Sequence, residues 1–366
     1  MSTDLRSPFL ALPSAVEAVG ADAGVAAHYG NPLGEQRALA AGEAVVDLSH
    51  RAVLAVSGPD RLDWLNSFTS QRLDRLEPGV PAETLILDQQ GRVEHAIRLL
   101  DDGQQSWLLV EREQAEPLTS WLLSMRFMRR VEVSELSDRY ATFGTLGDPP
   151  LPVAESNGVR LDWRDPWPSI APGGHQYAAP EGHPSASWSY RELLVERSEL
   201  ASLARSGTPL AGLLALEALR IAAWRPRLAT EVDARTLPHE LDWLRSAVHL
   251  DKGCYRGQET VAKVHNLGRP PRRLVMLQLD GSEITVPAAG DEVLLGEEVV
   301  GAITSAAVHY ESGPIALAVV KRGTDPAAVL SVRSGEALIA AAQEIVVPPD
   351  AGRTVEVPRL PRLGAR

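Results

Sequence analysis

The one thiol in the sequence, Cys254, stands within Asp251-Lys252-Gly253-Cys254-Tyr255-Arg256-Gly257-Gln258-Glu259, the most informative stretch of the chain. Two glycines four residues apart let a backbone turn sharply and approach a ligand or partner closely. Lys252 and Arg256 each lie two residues from the cysteine, and positive neighbours favour thiolate over thiol. The chemistry on offer is nucleophilic, above all exchange with another sulfur centre. Spacing alone leaves a second reading open, because a lone cysteine is often a buried and inert small hydrophobe.

Other familiar chemistries lack their residues. There is no Gly-x-Ser-x-Gly elbow, and His249 and His265, the histidines nearest Cys254 in sequence, do not by spacing make a Cys–His dyad. The nine histidines show no metal-ligand spacing, so no metal site is expected. A phosphate-binding loop and a Gly-x-Gly-x-x-Gly turn are also missing, which removes support for nucleotide hydrolysis and dinucleotide binding. A single cysteine excludes an internal disulfide and any cluster or zinc site built from several thiolates of one chain.

Net charge is −12, which argues against nucleic acid or a membrane surface as a partner. The charge is uneven. Between Lys252 and Arg273 stand six basic residues and one acid, Glu259, against 30 basic and 47 acidic residues elsewhere. A basic island in an acidic protein reads as a local anion site, or as a solvated loop with paired charges.

These residues need elements to position them. With 44 % hydrophobic and 23 % charged residues, the composition is that of a soluble globular protein, and 366 residues suggest two or three packed units. No apolar run is long enough to span a bilayer, and the N-terminus lacks a secretory pattern, so a cytoplasmic location is expected. Residues 52–135 read as β-α-β-β-β-α-β, an α+β layout with helices on one face of an antiparallel sheet. Residues 148–185 are rich in Pro, Gly and Ser; Trp163 and Trp167 within them either stack on a flat ligand or pack the loop onto the core. Helices are expected near 198–205 and 210–224. Beyond Arg273, short apolar pieces at 274–279, 292–295, 299–304 and 315–320 read as a small β-barrel or sandwich. The last residues read as a loose tail.

Lys252 to Glu259 resembles the K-G-C-Y-x-G-Q-E hallmark of the YgfZ family, relatives of the glycine-cleavage aminomethyltransferases known as T-proteins. Asn266-Leu267-Gly268-Arg269-Pro270-Pro271-Arg272-Arg273 follows it as in that family. Val46-Asp47-Leu48-Ser49-His50 and Val56-Ser57-Gly58-Pro59-Asp60 resemble the opening of T-proteins, and Val300 to Ser305 with Gly313 to Ala318 resemble their last domain. The resemblance implies an α+β cloverleaf of three subdomains, two of them ferredoxin-like and the last a small β-barrel. Their expected extents are 1–50 with 140–265, 51–139, and 270–350, followed by a tail at 351–366.

The resemblance also implies a central channel for tetrahydrofolate or a one-carbon derivative, and a role in assembling, maintaining or repairing iron–sulfur enzymes. Its partners would be the folate and iron–sulfur enzymes or cluster-assembly proteins, with Cys254 as the essential thiol. The channel is expected between the 46–58 region and the 210–224 helix, which puts forward Arg51, Leu216, Arg220 and Trp224 as folate contacts. Arg126 to Arg130 and the basic island are candidates for the folate tail. T-proteins carry an acidic pair, one Asp of it catalytic, where this chain has Glu94-His95, the candidate acid and base. They carry a folate-facing Glu where it has Ala222, and YgfZ proteins often have Trp where it has Arg51 and Leu216. Aminomethyl or other one-carbon transfer, with Glu94 in place of the Asp, is therefore the alternative. A scaffold that has lost folate is a third reading.

Overall fold

The computed structural model describes residues 6–282 and 286–354, organised around three sheets. The first has the strand order Asp162–Arg164, Arg191–Glu196, Tyr140–Thr145, Val45–Asp47 and Leu210–Ala211, and its last pair is parallel. The second runs Pro81–Leu87, Val93–Asp101, Gln105–Val110, Ala52–Ser57 and Glu132–Glu135, antiparallel throughout. With the helices Arg61–Asn66 and Ala115–Ser124 it reproduces the β-α-β-β-β-α-β order. Period-two alternation explains it. Ala52, Leu54 and Val56 pack with Leu118 and Leu122 of the helix layer, whereas Val53 turns to the large central core.

The third sheet is a closed six-stranded barrel in which Arg272–Leu279 pairs with both Gly313–Lys321 and Ala337–Ile345. Val275 and Leu277 fill its interior. Leu274 and Met276, on the opposite face, join a core cluster that also holds Val46 and Leu85. One continuous core therefore draws on all three sheets.

Several expectations need correction. The 210–224 helix is shorter, Leu213–Ala222, because Leu210–Ala211 is a strand beside Val45 and Val46 and Trp224 has a φ of 57°. The 198–205 helix is one turn, Leu200–Leu203, after a 3-10 turn at Arg197–Glu199. Two barrel strands, Leu330–Ser334 and Ala337–Ile345, and the helix Gln258–Asn266 were not expected. Trp163 and Trp167 are fully buried, donating to the carbonyls of Ala82 at 2.8 Å and Ala223 at 3.0 Å, so they pin the Pro-rich segment to the core. The expected tail lies outside the described residues from 355 onward. Before that, Ala351 is buried and the Thr354 N–H donates to the His265 carbonyl. Among the described residues no helix is long and apolar enough to cross a membrane.

Candidate functional site

The Lys252–Glu259 loop is held by its charged and glycine residues, and Cys254 is exposed. Lys252 is buried, and its Nζ donates to the carbonyls of Asn66, Thr69 and Gln71 at 2.8, 2.7 and 2.8 Å. Burial pulls its pKa down to about 8, but three acceptors matched to three N–H donors favour the ammonium at neutral pH. The same ammonium lies 5.4 Å from the ring centroid of buried Tyr255, and Gln258 Nε2 closes the loop onto the Lys252 carbonyl at 3.2 Å. Arg256 reaches Glu94 at 2.6 Å, so two candidates far apart in sequence form one ion pair.

Gly257, at φ 82°, leads into the helix Gln258–Asn266. A Cβ there would lie 2.6 Å from the Asp88 carbonyl oxygen and 2.9 Å from the Gly91 Cα, a contact only glycine permits. Gly253 is different: it does not lie in the left-handed region, and nothing stands within 4 Å of its Cβ position. The sharp, close-packed turn is thus made by one glycine, not two. The cations beside the cysteine also act differently from the thiolate reading, since Lys252 is held by carbonyls and Arg256 by Glu94. His249 Nδ1 accepts from the Asp251 N–H and His265 Nδ1 pairs with the Tyr177 hydroxyl, and neither histidine hydrogen-bonds Cys254 among the described residues.

The basic island is dispersed. Arg272 binds Asp233 and Glu240, and Arg273 is buried against the Thr324 carbonyl. None of Arg126 to Arg130 lines the central cavity, and Arg130 is instead paired with Asp60.

That cavity, of about 40 Å³, lies between Arg51, the strand residues Ala96 and Arg98, and the helix carrying Leu216, Glu217 and Arg220. Arg225, Arg227, Glu83, Glu111 and Asp165 complete an arginine–carboxylate ring. Arg51 binds Glu192 at 2.6 Å, and Arg225 binds Glu83 at 2.7 Å and Asp165 at 2.8 Å. Arg227 binds Asp22 at 2.6 Å and Glu111 at 2.8 Å; Arg220 binds Glu217 at 2.5 Å and Glu231 at 3.1 Å. Glu231 also accepts from Thr304 at 3.0 Å and from Ser305, which ties the ring to the barrel. Burial opposes these carboxylate charges, yet the surrounding guanidiniums overcome it and hold Asp22, Glu111 and Glu217 below the usual carboxylate range.

The cavity thus gathers Arg51, Leu216 and Arg220. Trp224 is outside the lining, its ring 5.0 Å from that of His183. Glu94 alternates in phase with Ala96 and Arg98 but turns out to Arg256, while His95 is buried with Nδ1 3.3 Å from Gln114 Oε1, and burial lowers its pKa. Sequence reasoning missed Asp22, Glu83, Arg98, Glu111, Asp165, Arg225 and Arg227. The available signal was a charged residue inside an apolar run, such as Glu83 before Thr84-Leu85-Ile86-Leu87. Among the described residues no group of three or more His, Cys, Asp or Glu is placed to hold a metal ion.

The fold is that of the aminomethyltransferase-like proteins. The crystal structure of glycine cleavage system aminomethyltransferase T from Bartonella henselae matches with a TM-score of 0.71 at 17 % identity, over 94 % of this chain and 96 % of that one. In sequence, an aminomethyltransferase of Rippkaea orientalis is 28 % identical over 309 residues, 79 % of this chain and 81 % of the relative. The mitochondrial iron–sulfur cluster assembly factor IBA57 homolog of Cryptococcus neoformans is 24 % identical over 254 residues, 64 % of this chain and 66 % of the relative. No family model matches the chain.

Proposed function

We propose that this chain is a cytoplasmic, tetrahydrofolate-binding accessory protein of the YgfZ type, which supports the assembly, maintenance or repair of iron–sulfur enzymes through Cys254. The observation that carries the reading is the presentation of Cys254. A buried lysine caged by three carbonyls and a glycine packed against Gly91 hold a loop whose one reactive atom faces solvent. Such an investment in the loop suits a thiol that meets a partner's sulfur chemistry. The likeness to a relative named as an iron–sulfur cluster assembly factor supports it.

The cavity lining suits a pterin in chemistry. Arg51 Nε, Gln114 Nε2 and Arg225 Nη1 are buried donors without a hydrogen-bond acceptor among the described residues, a set that suits a ligand class rich in ring nitrogens and a carbonyl. Glu111 and Glu217 are charged acceptors for amino and ring N–H groups, and Trp188, stacked on Tyr190 at 5.1 Å, supplies an aromatic wall. When bound, tetrahydrofolate supplies a carrier for a one-carbon unit. A volume of about 40 Å³ has room for little more than a water molecule or two, so the long arginine side chains must withdraw as the ring enters.

The test pairs tetrahydrofolate titration, followed by tryptophan fluorescence, with rescue of iron–sulfur enzyme activity in a strain lacking the protein. Cys254→Ala should keep folate binding and lose rescue. Full rescue by the Ala variant refutes the thiol role, and absence of binding refutes the folate role. Aminomethyl transfer is the second reading, favoured by the Rippkaea orientalis relative. Folate-dependent ammonia release from an aminomethyl-lipoyl carrier, well above background, would put it first. The ion pair of Glu94 with Arg256 weighs against a free base there.

A further inference from the structure

A second hollow, of about 370 Å³, opens between the segment 71–83 and the Pro-rich loop 166–172. Its volume falls within the range of small-molecule sites, roughly 300–1,000 Å³, which the central cavity does not reach. Leu76, Val80 and Pro81 form one apolar side, and Pro166, Ala171 and Pro172 the other. Among the described residues Glu83 alone lines both cavities. Its carboxylate is fully engaged: Oε1 accepts from Arg225 at 2.7 Å and Trp243 at 3.0 Å, and Oε2 from Ser246 Oγ at 2.6 Å.

The remaining charge is on the rim. Arg75 is exposed and has no ionic partner among the described residues. Arg72 donates to the Asp251 carbonyl at 3.1 Å and lies 3.9 Å from Asp74, leaving most of its fork open. Against these two guanidiniums stand two exposed carboxylates, Glu77 in the lining and Asp74 beside Arg72, so Arg75 carries the charge without an ion-pair partner among the described residues. Burial lowers the His249 pKa, so the ring is neutral at pH 7; Nδ1 accepts from the Asp251 N–H, which leaves the proton on Nε2 as a donor.

We propose that this groove is a second binding site, for a small amphipathic carboxylate. The acid group would sit between Arg72 and Arg75, whose planar forks suit a carboxylate, and an aryl or alkyl body would lie against the prolines. An amine of the same shape meets Arg75, which forms no ion pair among the described residues, and a bare inorganic anion leaves the apolar walls uncovered. The site stands apart from the folate reading because, among the described residues, only Glu83 is common to both. It adjoins the cysteine loop: Arg72 binds Asp251, and the Gln71 carbonyl accepts from Lys252.

The probe is 4-phenylbutyrate, titrated calorimetrically into the full chain, with 4-phenylbutylamine as its charge-reversed counterpart. Saturable binding of the acid and none of the amine is expected. Arg75→Glu and Val80→Glu both alter exposed positions and should each weaken the acid at least about tenfold, the loss of one charge-assisted contact or of the apolar wall. Leu216→Phe, which narrows the central cavity, should leave its affinity unchanged. The proposal is overturned by no binding of the acid, by equal binding of the amine, or by Arg75→Glu and Val80→Glu proteins that bind as the parent does. Loss of binding in a Leu216→Phe protein that melts as the parent does would move the ligand to the central cavity and overturn it equally.

Discussion

The central ring and the cysteine loop use the same residue types in opposite ways. Around the cavity, Arg51, Arg220, Arg225 and Arg227 face Glu83, Glu111, Glu192, Glu217 and Glu231, and charge neutralises charge away from water. On the loop, Lys252 forms no ion pair among the described residues but binds three main-chain carbonyls, and its charge anchors backbone. Burying ion pairs costs desolvation that mutual attraction only partly repays, so the ring is weak evidence of stability and better evidence of a specified interior. The loop has the simpler energetics: fixed donors hold the Cys254 side chain out in solvent. The lesson is that the same residue types neutralise one another in the interior and anchor main chain beside the exposed thiol.

The largest effect expected is at Arg227. It reaches Asp22 and buried Glu111, so Arg227→Met leaves Glu111 only the longer contacts to Arg98 at 3.5 Å and Arg51 at 3.8 Å, and should cost up to about 3–5 kcal/mol in urea unfolding. Acid provides a second measure. Asp22, Glu111 and Glu217 have folded pKa values below their unfolded ones, so their contribution is present above about pH 4.5 and is lost as pH falls through the folded values. Wild-type stability should therefore fall steeply below that pH, and Arg227→Met should flatten the fall. A cost under about 1 kcal/mol, the scale of a surface pair, would erase the contrast with the loop.

An intermediate effect is expected where the loop touches its support. Gly257→Ala places a Cβ 2.6 Å from the Asp88 carbonyl oxygen at a φ of 82°, and should cost about 1–3 kcal/mol. Gly253→Ala meets nothing within 4 Å and should change stability by less than about 0.5 kcal/mol. Thermal melts of the two variants side by side separate a packed glycine from a free one. Equal effects would show that the loop is not seated on the Asp88–Gly91 turn.

How much of this was legible depended on contiguity. The eight residues of the loop lie in one run, and Cys254 could be picked out by type and neighbours. What Lys252 does could not be read, because its acceptors are main-chain carbonyls up to 186 positions away and carry no side-chain signature. The ring was illegible for a related reason: its members run from Asp22 to Glu231, and only folding brings them together. The second sheet was readable because its strands alternate faces between two cores. The last barrel strand was not, since Ala337-Leu338-Ile339-Ala340-Ala341-Ala342 is poor in β-branched residues and leaves Leu338 61 % exposed.

The smallest stability effect, and the sharpest test of the comparison, is expected at Cys254 itself. The side chain is exposed and makes no hydrogen bond among the described residues, so Cys254→Ala removes no buried surface and leaves no partner stranded. Its unfolding midpoint should match the parent's within about 0.5 kcal/mol, the range of a surface change away from special features. The native thiol should be alkylated by iodoacetamide without denaturant, at a rate that adding urea raises little. Lys252→Met gives the complementary case: it strands three carbonyls and should destabilise the protein while leaving the thiol reactive. If instead the thiol reacts only after unfolding, or Cys254→Ala costs as much as Lys252→Met, then Cys254 belongs to the packing of the loop. The division between anchoring residues and a displayed atom would then fail.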